Sequence, residues 1–399
     1  IQGGAAKVAI TEALGLADLG IGVTFFAASG PADPRLIEHP RIRTVCLHDN
    51  YDVRTLPALT YATRGSWDTG ASKAFADILR TYDPASTVIH VHMVREQLTA
   101  SVYRPALDAD FPLVVTCHEF NIGCPYGGFF DYTTRSICHR KGLSADCMLA
   151  RCNGGSYARK LWFFNKGKLQ QKKAGVPARI YDWIFVSRFS ERILEPYLPD
   201  RCSRTYVANP IEVEDLGPRS VEPSSPFVFI GRMTIEKDPV TFAKAAAALN
   251  APAVFIGDGP LKPEVSQANP TAQVLGWIES AEVKQHLRSA RALVFPSIWY
   301  ETQGMVVAEA AAAGVPTITS DVSAPSEVVE PNVTGLVFKA GDVDDLAAQM
   351  RVMMDDRNAN HMGQQAYSMF WNDPPTEAKH IEAILEVYES MLQRRSPDS

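Results

Sequence analysis

Short apolar runs alternate along this chain with longer stretches in which apolar residues recur every three or four positions. The first pattern belongs to buried strands, the second to helices with one buried face. In the first half the pattern predicts a helix over 5–19, ended by Gly20, and strands over 23–27 and 43–47. A helix over 72–79 follows, then short strands over 88–91, 113–116 and 181–186 and a helix from 190 to about 198. In the second half F-V-F-I-G-R predicts a buried strand from Phe227 that ends at Gly231-Arg232. A helix over 239–249 and strands over 253–256 and 274–277 come next. Another strand runs into Phe295, and an Ala-rich helix starts near Met305. Gly314 and Pro316 stop that helix, as Gly just past a helix end and Pro soon after should. A last helix over 377–392 follows Asp373-Pro374-Pro375. Strands alternating with helices predict the α/β class, with parallel sheets wound on both faces.

The alternation breaks once. Residues 209–226 are polar and rich in Pro and Ser, which predicts a linker between two doubly wound, Rossmann-like domains at 1–208 and 227–372. Residues 373–399 carry the last helix. The chain opens I-Q-G-G, with neither Met nor a strand before the glycine turn, so the first strand of the first domain is expected to be missing. The length of 399 residues suits two domains with real cores. A net charge of −6 argues against nucleic-acid recognition by bulk charge. No apolar run reaches the ~18 residues of a spanning helix, and no secretory signal opens the chain. The expected location is therefore cytoplasmic.

Candidate chemistry concentrates in F-P-S-I-W-Y-E-T-Q-G-M-V-V-A-E-A-A-A-A-G-V-P, residues 295–316. Glu301 falls in the loop after a strand and Glu309 one turn inside the next helix, with seven residues between them. Both can face a crevice at the carboxyl end of the strand, where open α/β sheets bind ligands. The helix start at Gly304, Met305 and Val306 offers free N–H groups and the positive end of a dipole, an anion site. A carboxylate can accept two hydroxyls of a ribose or a sugar. A phosphate site flanked by carboxylates suits a nucleotide-sugar. Arg232 can fork onto phosphate oxygens and Lys237 can add a point charge. Gly3-Gly4 before the first helix would let backbone approach a phosphate.

With Pro-Ser, Glu301, Gly304-Met-Val-Val, Glu309-Ala and Gly314-Val-Pro in this order, the sequence resembles the retaining glycosyltransferases of the GT-B fold. It is most similar to their largest family, which carries a Glu-x7-Glu signature (glycosyltransferase family four, glycosyl transferases group one). The resemblance is strong over 227–338 and moderate over the N-terminal half. It implies two facing Rossmann-like domains with the active site in the cleft between them, and a C-terminal helix that crosses back to the first. It implies that Glu301 meets the donor sugar, Glu309 the ribose, and the N–H groups of Gly304, Met305 and Val306 the diphosphate. Arg232 and Lys237 would neutralise the departing diphosphate, and Gly3 and Gly4 would face it across the cleft. Gly257 and Gly259, in Gly-Asp-Gly-Pro, would line the cleft, and Trp277 would touch the base. His118, in V-V-T-C-H-E-F, would contact the reacting sugar. Thr302-Gln303 departs from the family, where Gly-Phe is usual.

The implied reaction moves a sugar from a UDP- or GDP-sugar onto an acceptor hydroxyl with retention, in polysaccharide or glycolipid synthesis. The charge growing on the diphosphate would be met electrostatically by Arg232, Lys237 and the helix start. No clustered Asp-x-Asp ends a strand, so no catalytic metal or other cofactor is expected. The nucleotide-sugar is a substrate, and the other partner is a glycan or lipid-linked acceptor. An epimerase or phosphorylase on the same fold, or a binding protein that kept the nucleotide cleft, are the alternatives.

Three features stand outside this reading. His90 and His92 alternate on one strand face, where they form a polar strand end or half of a metal site. Cys124, Cys138, Cys147 and Cys152 fall in an insertion at about 120–155, with spacings of thirteen, eight and four residues and no Cys-x-x-Cys knuckle. Free thiols are expected there, with structural zinc the alternative. Residues 161–173 mix Trp162, Phe163 and Phe164 with four lysines, which suits a helix with buried aromatics or a peripheral contact with the inner face of a membrane.

Overall fold

The computed structural model describes residues 4–49, 52–95 and 97–395. The chain divides into two units: unit 1 holds residues 1–128, 140–210 and 375–399, and unit 2 holds 129–139 and 211–374. Residues 129–139, inside the cysteine-bearing insertion, group with unit 2.

The strands, in chain order, are β1 (Val23–Ser29), β2 (Ile42–His48), β3 (Ile89–Val91), β4 (Leu113–Cys117), β5 (Phe130–Asp131), β6 (Ser136–Ile137), β7 (Asp182–Phe185) and β8 (Ser203–Tyr206). They continue as β9 (Phe227–Ile230), β10 (Ala253–Ile256), β11 (Gln273–Gly276), β12 (Ala292–Phe295), β13 (Thr317–Ser320) and β14 (Gly335–Phe338).

In unit 1 the strands pair as two separate parallel sheets, β1 with β2 and β3-β4-β7-β8. The helix Gly4–Asp18 runs against the last helix, Glu377–Gln393, through Gly15. A Cβ on Gly15 would sit 2.8 Å from Ile381, so glycine permits the close approach. Ile384, Val387 and Met391 of the last helix pack on Val114 and Ile184 of β4 and β7. That helix is thus part of the unit 1 core.

Unit 2 is a six-stranded parallel sheet in the order β11-β10-β9-β12-β13-β14. Its strands β9, β10 and β12 are continuous apolar runs because both faces are covered. Successive residues of β9 show this: Phe227 and Phe229 enter one core with Phe242, Phe255 and Met350, while Val228 enters the other with Leu293 and Val307. Strand order reverses where β9 pairs with β12. The turn after Ile230 and the loop after Phe295 therefore leave the sheet side by side, the position where such sheets bind ligands.

Residues 209–226 hold no helix or strand, yet part of the segment is docked. Val221 is buried in the unit 2 core, and the Arg219 guanidinium donates to the carbonyls of Gly314 and Ala290.

Candidate active site

Pro296 ends β12 and Ser297 follows it, fully buried. Glu301 then returns towards the strand, and one of its oxygens, Oε1, accepts from three donors: Lys237 Nζ at 2.5 Å, Trp299 Nε1 at 2.5 Å and Ser297 Oγ at 3.0 Å. Lys237 comes from the 3-10 turn Ile235–Lys237 after β9, so the switch point is what brings the pair together. The side chains are 19 and 12 % exposed, which makes this a largely desolvated ion pair. The ammonium also lies over the rings of Phe295 and Trp299, 5.5 and 5.9 Å from their centres. Backbone bonds hold the loops in register: Ile298 N–H donates to Glu236 C=O at 2.9 Å and Ala324 N–H to Glu301 C=O at 3.3 Å.

The helix Met305–Ala312 begins at Gly304, which caps it in the left-handed region with φ 76°. A Cβ at Gly304 would stand 2.6 Å from Pro325 and 3.3 Å from Phe295, so both backbone and space demand glycine. The amide groups of the first turn carry the helix's positive end. Glu309 is half-buried one turn further on. Arg232 is exposed in the turn after β9, and its guanidinium makes no hydrogen bond or ion pair among the described residues.

Gly257 and Gly259 have a clear packing reason. Both have positive φ, and a Cβ on Gly257 would lie 2.0 Å from the Gly231 carbonyl oxygen, one on Gly259 2.5 Å from that of Met233. They let the turns after β9 and β10 touch backbone to backbone, where Met233 N–H donates to Asp258 C=O at 2.9 Å. Trp277, directly after β11, is 75 % exposed. Gly4 is the first residue of its helix, and Gly3 lies outside the described residues.

In unit 1, His118 follows β4, His90 lies in β3 and His92 directly follows it. His92 Nδ1 and His118 Nε2 are 3.1 Å apart with the rings stacked. Beneath them lies a carboxylate the sequence reading passed over. Glu12, buried in the first helix, meets His90 Nδ1 at 2.6 Å, Tyr388 Oη at 3.0 Å, His380 Nε2 at 3.3 Å and His92 Nε2 at 3.5 Å. His90 Nε2 is 2.6 Å from Thr116 Oγ1, and His380 Nδ1 donates to Ala208 C=O at 2.8 Å.

Burial alone would push the Glu12 carboxyl up. The imidazoles of His90 and His92, with hydrogen bonds from His380 and His90, outweigh it and hold the carboxyl well below its usual range. Burial also depresses His90 and His118, His90 against the pull of Glu12, and neighbouring imidazoles depress them further. Glu12, His90 and His92 bring one ligand atom each within 4.8 Å of one another, so this is where unit 1 could hold a metal ion. Glu12 is the third candidate ligand that the strand alone did not supply. Its signal was a carboxylate in the buried stripe Val8, Glu12, Leu16.

The aromatic and basic stretch forms the helix Tyr157–Leu169. Trp162 lies tilted against Tyr61 and donates to Ala62 C=O at 2.8 Å, and Phe163 is buried against Tyr126. These aromatics are used inside unit 1, leaving Leu161, Lys172 and Lys173 exposed. No helix among the described residues is long and apolar enough to cross a membrane. All seven cysteines are free thiols, and two of the insertion's four, Cys147 and Cys152, converge on Lys160.

A parallel sheet in this order, with a glycine-capped helix start beside a lysine-bound carboxylate at its switch point, defines an open α/β protein with a site suited to an anion. Residues 218–369 match the family described as Glycosyl transferases group 1, and the chain therefore carries a domain of that family. Sulfoquinovosyl transferase SQD2 of Arabidopsis thaliana is 30 % identical over 148 residues, 35 % of this chain and 29 % of the relative. An Escherichia coli UDP-Gal:alpha-D-GlcNAc-diphosphoundecaprenol alpha-1,3-galactosyltransferase is 24 % identical over 180 residues, 42 % of this chain and 46 % of the relative. The chain thus spans less than half the length of these relatives. Anabaena HepE, solved in complex with UDP-glucose, superposes with a TM-score of 0.64 over 98 % of this chain and 97 % of its own, at 16 % identity. The fold is that of the GT-B glycosyltransferases.

Proposed function

We propose that this protein is a retaining glycosyltransferase that moves a sugar from a UDP- or GDP-linked donor to an acceptor hydroxyl, in polysaccharide or glycolipid synthesis. The observation that carries the reading is the Glu301–Lys237 pair beside the glycine-capped start of the helix Met305–Ala312. In the proposed reaction the bond between the anomeric carbon and the diphosphate breaks, and negative charge grows on the leaving oxygens. Lys237, the unpaired Arg232 and the amides of Gly304, Met305 and Val306 stabilise that charge, electrostatics that need no metal cofactor. Glu301 takes hydroxyls of the donor sugar, Glu309 takes the ribose diol, Trp277 offers an exposed ring and backbone to the base, and His118 is assigned to the sugar. The leaving phosphate accepts the acceptor's proton, so no general base is assigned. The family domain supports the transferase reading, and the UDP-glucose bound by HepE and the lipid-diphosphate named for the Escherichia coli relative support the donor and acceptor classes. The acceptor is a glycan or lipid-linked, the location cytoplasmic, and any contact with the inner membrane face would fall to Leu161, Lys172 and Lys173.

The test is thermal stabilisation by a panel of nucleoside diphosphates and nucleotide-sugars, with a Glu309→Ala variant beside the parent. A ligand at a hundred times its dissociation constant adds about 2.7 kcal/mol. One nucleotide class should stabilise the parent and lose its effect in Glu309→Ala. A parent that no nucleotide stabilises overturns the reading.

A further inference from the structure

Lys160, in the helix Tyr157–Leu169, is 1 % exposed. Its Nζ donates to Cys147 Sγ at 3.4 Å and to Cys152 Sγ at 3.3 Å. Those two sulfurs are the ammonium's only polar partners among the described residues, and no carboxylate lies within ion-pair reach of it. Cys147 lies in the short helix Ala145–Leu149 and Cys152 in the turn that follows, at 7 and 5 % exposure.

A buried ammonium without a counter-charge is strongly destabilising. The groups beside Lys160 that can carry negative charge are the two sulfurs. Burial pushes the ammonium down, and the sulfurs outweigh it, so Lys160 is held above the ordinary lysine value. Loss of a proton from either sulfur would neutralise the ammonium beside it. A thiolate held by a cation is the form of cysteine that peroxides oxidise.

We propose that Lys160, Cys147 and Cys152 form a peroxide-responsive modification site, in which one sulfur is oxidised and then captured by the lysine amine as a sulfur–nitrogen cross-link. The thiolate attacks hydrogen peroxide, breaking the O–O bond, to give a sulfenic acid and hydroxide. The hydroxide takes a proton from the ammonium, leaving a neutral amine and water. The amine lone pair attacks the sulfenic sulfur, the S–O bond breaks, and hydroxide leaves with the amine proton as a second water. One thiolate, one ammonium and one peroxide thus give one S–NH link and two waters, with sulfur oxidised by two electrons and peroxide reduced by two. Closure turns a buried ion pair into a neutral group, which removes the cost of burying charge. An external thiol reverses the link by attacking the sulfur and returning a proton to the amine, and a second thiol then frees the cysteine.

The experiment exposes the purified full chain to hydrogen peroxide, then reads intact mass and a tryptic map under denaturing conditions. The expected result is the loss of two hydrogens, loss of trypsin cleavage after Lys160, and a Lys160 peptide joined to the peptide bearing Cys147 or Cys152. Dithiothreitol should reverse all three. Arg151 separates the two cysteines on digestion, so the map names the sulfur, and the matching single Cys→Ser variant should abolish the link. Lys160→Arg keeps a cation without the nucleophilic amine and should not link. If that variant fails to fold, the parent's map still decides. The same mass loss with cleavage after Lys160 intact means a cysteine–cysteine disulfide and overturns the proposal. So do oxygen gain alone, an unchanged mass, or a co-purified metal whose chelation is needed before the thiols react.

Discussion

Glu301 and Lys237 illustrate how one side chain sets another's state. Three donors converge on one oxygen of Glu301, leaving the other for a ligand. Glu301→Gln keeps the size of the side chain and removes its charge. The expected result is a folded protein whose release of nucleoside diphosphate from donor falls by a factor on the order of 10²–10³. Lys237→Met should instead lower stability as well as turnover, because it strands a largely buried carboxylate.

The histidine cluster carries a separate prediction. Glu12 is depressed below its ordinary 4.5, so its stabilisation is present above that value and lost as pH falls beneath it. His90 and His118 are depressed below 6.5, so on acidification the unfolded chain binds their protons first. Both effects have one sign: denaturant-measured stability should fall as pH drops from about 7.5 to 5. A flat profile would contradict the depressed imidazoles.

At the scale of elements, strand order does most of the positioning. The turns after β9 and β10 and the loop after β12 leave neighbouring strands, and glycines let the first two interlock. Gly257→Ala forces a Cβ within 2.0 Å of a carbonyl oxygen at a φ of 123°. It should cost about 3 kcal/mol or more and lower Tm without touching a charged group. Nucleotide affinity measured on the folded fraction separates this packing role from a ligand role.

Period-two and period-3.6 patterns made the strands and helices of unit 2 legible, and the Glu301 to Glu309 stretch named its own neighbourhood. What single-element patterns could not carry was pairing between distant elements. The loop 295–304 gave no sign that Ser297 and Trp299 would clamp Glu301. The split of β1-β2 from β3-β4-β7-β8 depends on which edges meet, which apolar content does not encode. The hairpin β5-β6 is two residues per strand, too short for any period. Trp162 and Phe163 leave a membrane face open as a reading until Tyr61, Ala62 and Tyr126 are seen beneath them.

For the whole molecule, unit 1 is assembled from both ends of the chain, with most of unit 2 threaded between. Its buried carboxylate on the first helix receives two of its partners, His380 and Tyr388, from the last. A fragment ending at residue 210 should therefore collapse without cooperative unfolding. Adding residues 375–395 as a separate peptide should restore a sharp transition in circular dichroism. A cooperative fragment without the peptide would show that the last helix is dispensable to the core.

The same interleaving sets an order of events at the ribosome. The unit made first cannot be finished first, because its closing helix is synthesised after all of unit 2. At about 5–20 residues per second, the amphipathic helix Gly4–Asp18 waits on the order of ten seconds or more for its partner. During that interval its apolar stripe is a natural handle for chaperones, and premature termination anywhere before residue 377 leaves a product that quality control can tell from the finished chain.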